Sequence, residues 1–527
     1  ISEKNVTFLC KNYFKECNSF NISQYDATQY LTLKLDFHSI ERYAKYYGKE
    51  IYESLKPYRG IRVQAPSIKK KITKTSYLKP DQKLGDLNLK VLDNTILWAD
   101  TNMGKTTWAC ASLEGKRVIL VPTVGALKNI ETKYNAATYY EANKNVTPEN
   151  ELIVCTYSSA PKLFTLMRNW EGGLSQYTLI VDEQHNFAVS AAKNYRNSEL
   201  NFVMDNISAF KKRIFMTGTL FPVEHPAISQ LDIYRVKWKN QPKKEAQIVW
   251  CADKYKSIEN NLVRGKKNII YLQDKRMHKQ LGKLVDYLQQ KQWKKIYLLN
   301  ANEKNEAHFK DLITTEYLAK DAEVIITTSV TVEAINILDL DVATVHFMTF
   351  ENPRLMEQMV NRMRRQLPTQ IFIYKKIKST EETIENFDPI VNQKDLIEQS
   401  HKLLQFLSTP KQKKRDSYDQ VAAQKLFANH IFEKTSLFRV KDNGRQWDID
   451  YLSIANKIFN DETSFCKNNF EYFKTVLEEY GWEFLPDVYF EEKMTKEESV
   501  AFEVKKEAIE KEMAQYSLDI LEKVEKL

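Results

Sequence analysis

The chain has few cysteines, and none is spaced for a metal or a disulfide framework. Cys10, Cys17, Cys110, Cys155, Cys251 and Cys466 are scattered through 527 residues with no CxxC pair. That spacing argues against a zinc ribbon or a disulfide-stapled scaffold, and for buried thiols in a reducing compartment. No apolar run reaches the roughly 18–20 residues that cross a bilayer, and no signal-peptide pattern opens the chain. The expectation is a soluble, cytoplasmic protein with no membrane partner. An internal repeat of fixed period and a long low-complexity tract are also missing, which argues against a solenoid.

What is present is a composition that can bury cores: 43% hydrophobic and 28% charged residues. At about 100–200 residues per domain, the length predicts three to four domains. Lys and Arg exceed Asp and Glu by 78 to 69, a net charge of +9, with basic clusters at 69–71, 243–244, 375–376 and 413–415. Such clusters either neutralise phosphates or form solvated lysine faces, and charge alone does not choose. The first residue is Ile1 rather than Met, the expectation for a processed product or a fragment of a longer protein.

Residues 1–77 are rich in Tyr, Lys, Asn and Ser, with an amphipathic stretch near 40–55, and read as an N-terminal accessory region. Short β-branched or apolar runs then recur at 95–98, 118–121, 152–155, 179–181 and 213–216, separated by helix-like or polar segments. This is the rhythm of a parallel α/β sheet. A polar connector with Pro222, Pro226 and Pro242 follows. The rhythm restarts at 268–272, 295–298, 324–327, 344–347 and 371–374, and ends near 380. The expected architecture is therefore two consecutive α/β lobes, 78–235 and 236–380, with a C-terminal accessory region, 381–527, that is mainly helical. Its last stretch repeats Phe502, Ile509, Tyr516, Ile520 and Val524 at helical spacing, a packing surface.

The first lobe carries the plainest chemistry. After the strand at 95–98 comes Ala99-Asp100-Thr101-Asn102-Met103-Gly104-Lys105-Thr106, then a plausible helix. This AxxxxGKT loop reads as a phosphate cradle spanning Asn102, Met103, Gly104, Lys105, Thr106 and Thr107. Backbone amides at a helix start face the phosphates, Lys105 neutralises the β and γ groups, and the Thr106 hydroxyl coordinates magnesium. Ala99 stands where the common pattern has its first glycine. At Asp182, 77 residues after Lys105, the strand at 179–181 runs into Asp182-Glu183-Gln184-His185. Two carboxylates at the carboxyl end of a strand lie where ligands bind in open α/β folds. Asp182 can hold magnesium and Glu183 can position or deprotonate a water.

This DExH box, in order behind the phosphate loop, resembles motif II of superfamily 2 helicases. The remaining motifs fall in sequence. Leu78-Lys79-Pro80-Asp81-Gln82 resembles the element upstream of the phosphate loop, which implies that Gln82 reads adenine. Pro122-Thr123 and Thr156-Tyr157 resemble loops that hold the nucleic-acid backbone, and Thr217-Gly218-Thr219 resembles motif III, whose hydroxyls couple hydrolysis to lobe movement. Ile269-Ile270-Tyr271 resembles motif IV. The stretch from Ile326 through Thr327-Thr328 to Asn336 resembles motif V, although Ala334 and Asn336 replace the Gly and Asp common there. Gln358-Met359-Val360-Asn361-Arg362-Met363-Arg364-Arg365 resembles motif VI, QxxxRxxR. At that spacing Gln358, Arg362 and Arg365 would share one helical face across the cleft.

The resemblance covers residues 78–378. It implies two tandem RecA-like lobes, ATP and magnesium between them, and a catalytic set of Lys105, Asp182, Glu183, His185, Gln358, Arg362 and Arg365. Single-stranded or junction-containing nucleic acid is the implied partner, DNA before RNA, gripped through Pro122, Thr123, Thr156, Tyr157, Thr327 and Thr328. The flanking regions are left for protein partners. The QMVNRMRR and SVTVEAIN stretches look most like viral and phage origin-binding or replicative helicases, which would place the chain in a host cytoplasm. An RNA helicase or RNA-stimulated ATPase, and a non-hydrolysing nucleic-acid-binding scaffold, are the rival readings. The intact charged set speaks against the scaffold.

Overall fold

The computed structural model describes residues 72–490, apart from 80, 88, 90–91, 190–193, 241–242, 273–276, 301–305, 329–335, 350, 364–368, 377–386, 409–436 and 441–446. The stretches expected at 40–55 and 502–524, the basic clusters at 69–71 and 413–415, and Arg364 and Arg365 lie outside the described residues.

The first lobe is built on β1 (Ile72–Leu78), β2 (Thr95–Ala99), β3 (Arg117–Val121), β4 (Ala137–Tyr139), β5 (Leu152–Thr156), β6 (Thr178–Val181), β7 (Lys212–Thr217) and β8 (Asp232–Trp238). They pair in parallel in the order β1-β8-β2-β7-β6-β3-β5-β4. Near-continuous apolar strands such as the TILWA of β2 and the RVILV of β3 suit a sheet covered on both faces. Alternate side chains go to opposite cores: Ile96, Trp98, Val118 and Leu120 to one, Leu97, Ala99, Ile119 and Val121 to the other.

The segment read as a polar connector holds β8, which lies between β1 and β2 in the first sheet. Ile233, Tyr234 and Val236 are buried there, and Arg235 beside them is buried as well. An arginine inside the run hides the strand from an apolar pattern, because it is paired rather than solvated.

The second lobe has β9 (Lys244–Cys251), β10 (Lys267–Tyr271), β11 (Ile296–Leu299), β12 (Val324–Thr327), β13 (Val342–Phe347) and β14 (Gln370–Lys376). Its sheet order is β11-β12-β10-β13-β14-β9, again parallel, and it continues into the C-terminal region. There β17 (Trp482–Phe484) and β18 (Val488–Phe490) both pair with β9. A short antiparallel pair, β15 (Phe438–Val440) and β16 (Trp447–Ile449), precedes them. Strands of three residues are too short to show a period, so the expected end of strands near 380 is corrected to a region that, among the described residues, has helices and four small strands. Two tandem parallel-sheet α/β lobes are nonetheless the architecture, as the RecA-like reading requires.

Six helices bear on the site and its supports: α1 (Lys105–Thr107), α2 (Val124–Tyr134), α3 (Asn194–Asn206), α4 (Pro353–Val360), α5 (Tyr451–Asn468) and α6 (Phe470–Glu478). Helix α5 starts where Asp450 accepts the Ser453 amide at 3.0 Å, an N-cap worth about 1 kcal/mol. Its apolar side, with Leu452, Ile454, Ala455 and Phe459, joins one continuous core with Ile96 and Trp98 of the first lobe and Ile269 and Phe347 of the second. The C-terminal region is thus a bracket against both lobes. Among the described residues no helix is long and apolar enough to cross a membrane.

Candidate active site

The AxxxxGKT loop begins where β2 ends. Asp100 is buried and forms an ion pair with Arg235 of β8, while its other oxygen accepts the Trp238 amide at 3.2 Å. Arg235 also donates to the Trp98 carbonyl at 3.0 Å and lies 4.1 Å from the centre of the Trp98 ring. The neighbouring strand therefore pins the start of the loop. Asn102 and Gly104 then turn the chain through left-handed conformations, φ 65° and 81°, which favours glycine at 104. The Gly104 carbonyl accepts the Trp108 amide at 2.8 Å, so α1 starts directly behind the loop and continues as a π-helical turn, Trp108–Ser112.

Lys105 folds back over this loop and donates from Nζ to the carbonyls of Ala99 at 3.0 Å and Asp100 at 3.3 Å. Met103 points its side chain into the core and offers only backbone, its carbonyl taken by the Leu84 amide at 2.9 Å. The Thr107 hydroxyl accepts from Tyr134 at 2.8 Å on the exposed side of the helix. Gln82 sits upstream in a turn that its Oε1 closes by accepting the Lys79 amide at 3.0 Å, and Lys83 donates to the Asn102 carbonyl at 2.9 Å.

Two neighbouring strands complete the first-lobe edge. From β7 come Thr217, Gly218 and Thr219; a Cβ at Gly218 would stand 3.1 Å from Thr101 Oγ1 and 3.5 Å from Lys105 Nζ, so the loop needs glycine to approach the lysine. From β6 comes Asp182, whose Oδ1 accepts the Glu183 amide at 3.1 Å. Glu183 is left-handed, φ 55°, which turns the chain sharply after the strand, and the Gln184 amide then bonds to the Met216 carbonyl at 2.9 Å. Because the sheet order runs β2-β7-β6, the lysine loop, the Thr-Gly-Thr loop and the carboxylates are side by side at the carboxyl edge.

The second lobe reaches this edge through α4. Gln358 donates from Nε2 to His185 Nε2 at 2.6 Å and to Thr219 Oγ1 at 2.7 Å. Burial pushes the His185 imidazole down to about 4, against a smaller opposing pull from Glu183, so it is neutral near pH 7. With Nε2 accepting, its proton is on Nδ1, which faces Thr217 Oγ1 at 3.1 Å and Glu183 Oε2 at 3.5 Å. Burial and the Glu183 charge raise the Asp182 carboxyl to about 7, opposed by Lys105 and Arg362. The charge of Arg362, from the second lobe, is thus felt at a first-lobe carboxylate. Helix α4 ends at Val360, and the Arg362 carbonyl accepts the Ile337 amide at 2.8 Å. Arg362 therefore stands in the turn beyond the helix, not on its face with Gln358, because its backbone is bonded to the segment after the motif V loop.

The Asp182 carboxyl, pushed up by burial and by the Glu183 charge beside it, is a group that a divalent cation would hold ionised. Among the described residues no group of three or more His, Cys, Asp or Glu surrounds a point. A magnesium ion held by Asp182 and Thr106 would complete its shell with water and phosphate oxygens.

The expected nucleic-acid contacts divide. Pro122 and Thr123 are half-buried at the end of β3, where the Thr123 hydroxyl caps α2 by accepting the Ala126 amide at 3.2 Å. Thr156, Thr327 and Thr328 are buried, and Thr327 donates to the Leu299 carbonyl at 3.1 Å. Tyr157 turns inward: its hydroxyl donates to the Asp182 carbonyl, and its ring stacks on Phe187 at 5.6 Å. The structure therefore puts this side chain behind the carboxylate turn. Lys244, from a basic cluster, is also internal, paired with Glu357 at 2.7 Å. The Asp100–Arg235 pair, Tyr157 as a prop and Lys244 as a core cation escaped the motif reading. Only the arginine inside the Ile-Tyr-Arg-Val run gave any signal.

No family model matches the chain, and no curated protein matches it in sequence. Solved structures similar to it include a Mycobacterium smegmatis helicase Lhr bound to ssDNA and AMP-PNP, at 14% identity and TM-score 0.38, covering 73% of this chain and 53% of that one. An Escherichia coli DEAH/RHA helicase HrpB aligns at 16% identity and TM-score 0.41, covering 64% and 48%. An S. cerevisiae dbp5 bound to gle1 and ip6 aligns at 12% identity and TM-score 0.38, covering 64% and 88%. The chain spans about half the length of the first two proteins.

Proposed function

We propose that the chain is an ATP-hydrolysing motor of the superfamily 2 helicase type that acts on single-stranded or junction-containing nucleic acid, DNA rather than RNA. The observation that carries this reading is the bond of Gln358 to both His185 and Thr219, which joins the second lobe to an edge already holding Lys105, Asp182 and Glu183. In this reading Lys105 neutralises the phosphates, Asp182 and Thr106 hold magnesium, and Glu183 positions the attacking water. Gln82 reads the base, and Arg362 and Arg365 stabilise charge on the transferring phosphoryl group. The loops after β3, β5 and β12 lie at the carboxyl edges and would track a phosphate backbone, largely without sequence preference, with half-buried Pro122 and Thr123 at the contact and the inward-turned Thr156, Tyr157, Thr327 and Thr328 holding the loops in shape. The QMVNRMRR and SVTVEAIN stretches favour a role in phage or viral DNA replication, in the host cytoplasm.

The test is ATP hydrolysis by the full chain with and without magnesium, and with single-stranded DNA, RNA or no polynucleotide. The expected outcome is magnesium-dependent turnover that DNA raises more than RNA, abolished in Lys105→Ala. A folded protein with no polynucleotide-stimulated turnover overturns the motor reading, and stimulation by RNA alone overturns the choice of DNA.

A further inference from the structure

Helix α4 is eight residues long, and every described side chain along it except that of Leu355 is buried, including Arg354, Glu357 and Gln358. These three stand at helical spacings of three and four and so occupy neighbouring positions on one side. Between them they reach the first lobe, the second-lobe sheet and the C-terminal bracket. Gln358 meets the first lobe at His185 and Thr219. Glu357 accepts from Lys244 of β9 at 2.7 Å and from the Trp482 indole of β17 at 2.6 Å. Arg354 donates from Nε to the Leu220 carbonyl at 2.9 Å, two residues past Gly218, and from Nη1 to Glu462 of α5.

Glu462 has no solvent exposure and also accepts from Asn352 at 2.9 Å and Tyr472 at 2.8 Å. The carboxylate therefore has several donors. Desolvating such a pair costs more than packing apolar side chains of equal size, so stability alone gives it little reason to be there. The joint has company: Tyr480, next to the bracket's last strands, lies 6.1 Å from the Trp98 ring at the foot of the phosphate loop.

We propose that Arg354 is a positioning residue: it locks the loop after β7, the helix bearing Gln358 and the C-terminal bracket into one joint, so that the bracket sets how the second lobe's groups meet the nucleotide. The proposal rests on the ATPase reading for its catalytic consequence. Its physical basis is the guanidinium fork, whose several donors serve Leu220 and Glu462 together. A lysine at this position has one nitrogen; it can neutralise Glu462, but it loses the separate Nε and Nη1 through which Arg354 reaches Leu220 and Glu462.

The test compares Arg354→Lys, Glu462→Gln and, as a control on the outer face of α5, Lys457→Ala in the full chain. For Arg354→Lys the expected result is a thermal midpoint near the parent's, a KM for ATP within about threefold, and a kcat about tenfold lower at saturating polynucleotide. Glu462→Gln should fall between it and the parent, since an amide oxygen still accepts from Arg354, and Lys457→Ala should match the parent. Parental kcat in Arg354→Lys overturns the proposal. So does a loss that follows the thermal midpoint and disappears at lower temperature, which would mark a purely structural role. Amide hydrogen exchange supplies a readout that does not depend on turnover: in Arg354→Lys, residues 217–221 and 353–363 should lose protection together while the strands keep theirs. If those two segments respond independently, the joint is not one unit, even in a chain that proves not to hydrolyse ATP.

Discussion

At the first lobe's edge, Lys105, Glu183 and Thr217 are placed by strands adjacent in one sheet, through bonds between neighbouring strand ends such as Gln184 to Met216 and Asp100 to Arg235. The second lobe presents Gln358 on a helix held by side-chain bonds to three separate elements, α5, β9 and β17: Arg354 to Glu462 and Glu357 to Lys244 and Trp482. The first edge is built by the sheet and the second by tertiary contacts. The chemistry should accordingly be lost outright when the first is damaged and be weakened or misaligned when the second is.

The largest expected effect is that of Glu183→Gln, which should keep ATP affinity and lower turnover about 10²- to 10⁴-fold, the range for a lost general base. Parental turnover would remove Glu183 from the chemistry. Next is Asp100→Ala, which strands the buried Arg235 charge; breaking such a pair costs about 3–5 kcal/mol. Urea unfolding should show the first lobe melting early, and an unchanged midpoint would mean that the loop is not anchored through β8. Gln358→Ala removes one donor to His185 and Thr219. At about 1–2 kcal/mol for hydrogen bonds of this kind, turnover should fall about 5- to 30-fold with nucleotide affinity little changed. A loss as large as that of Glu183→Gln would erase the distinction between the two edges.

Acid should separate the lobes more gently. His346 in the second lobe is held down to about 3 by burial, and His185 and His225 in the first to about 4, mainly by burial. A folded value below the unfolded one means that the stability from the neutral ring is complete above about pH 6.5 and drains as pH falls, by up to about 1.4 kcal/mol per pH unit for each ring. Urea midpoints between about pH 6 and 4 should decline, and His346→Phe should flatten the decline by no more than about a third. Complete flattening would place all the acid sensitivity in the second lobe.

The strands that carry motifs can be read because a covered parallel strand is a continuous apolar run with its candidate site residues directly after it: Leu97-Trp98-Ala99 before the AxxxxGKT loop, Leu179-Ile180-Val181 before Asp182. Local order thus betrayed most of the first edge. What stayed hidden depends on partners distant in the chain. Strand β8 carries a buried arginine whose partner lies 135 residues earlier, and Lys244 looked like part of a surface cluster because Glu357 lies 113 residues later. The place of Tyr157 after β5 suggests a nucleic-acid loop, yet a tyrosine can point either way there, and the acceptor at Asp182 draws it inward. The bracket left almost no trace, since strands as short as β17 and β18 have too few residues to alternate.

The pairing of β17 and β18 with β9 also orders events during synthesis. Among the described residues, the first sheet has all its strands once β8 has emerged, so that lobe can close early. Strand β9 gains β14 on one side, but its other edge waits for β17, roughly 100 residues later. At a ribosomal rate of about 5–20 residues per second, that edge, with Ala246, Ile248 and Val249 behind it, stays open for about 5–20 s. A nascent chain stalled before residue 482 would carry a finished first lobe beside an unpaired strand, the form most exposed to wrong partners.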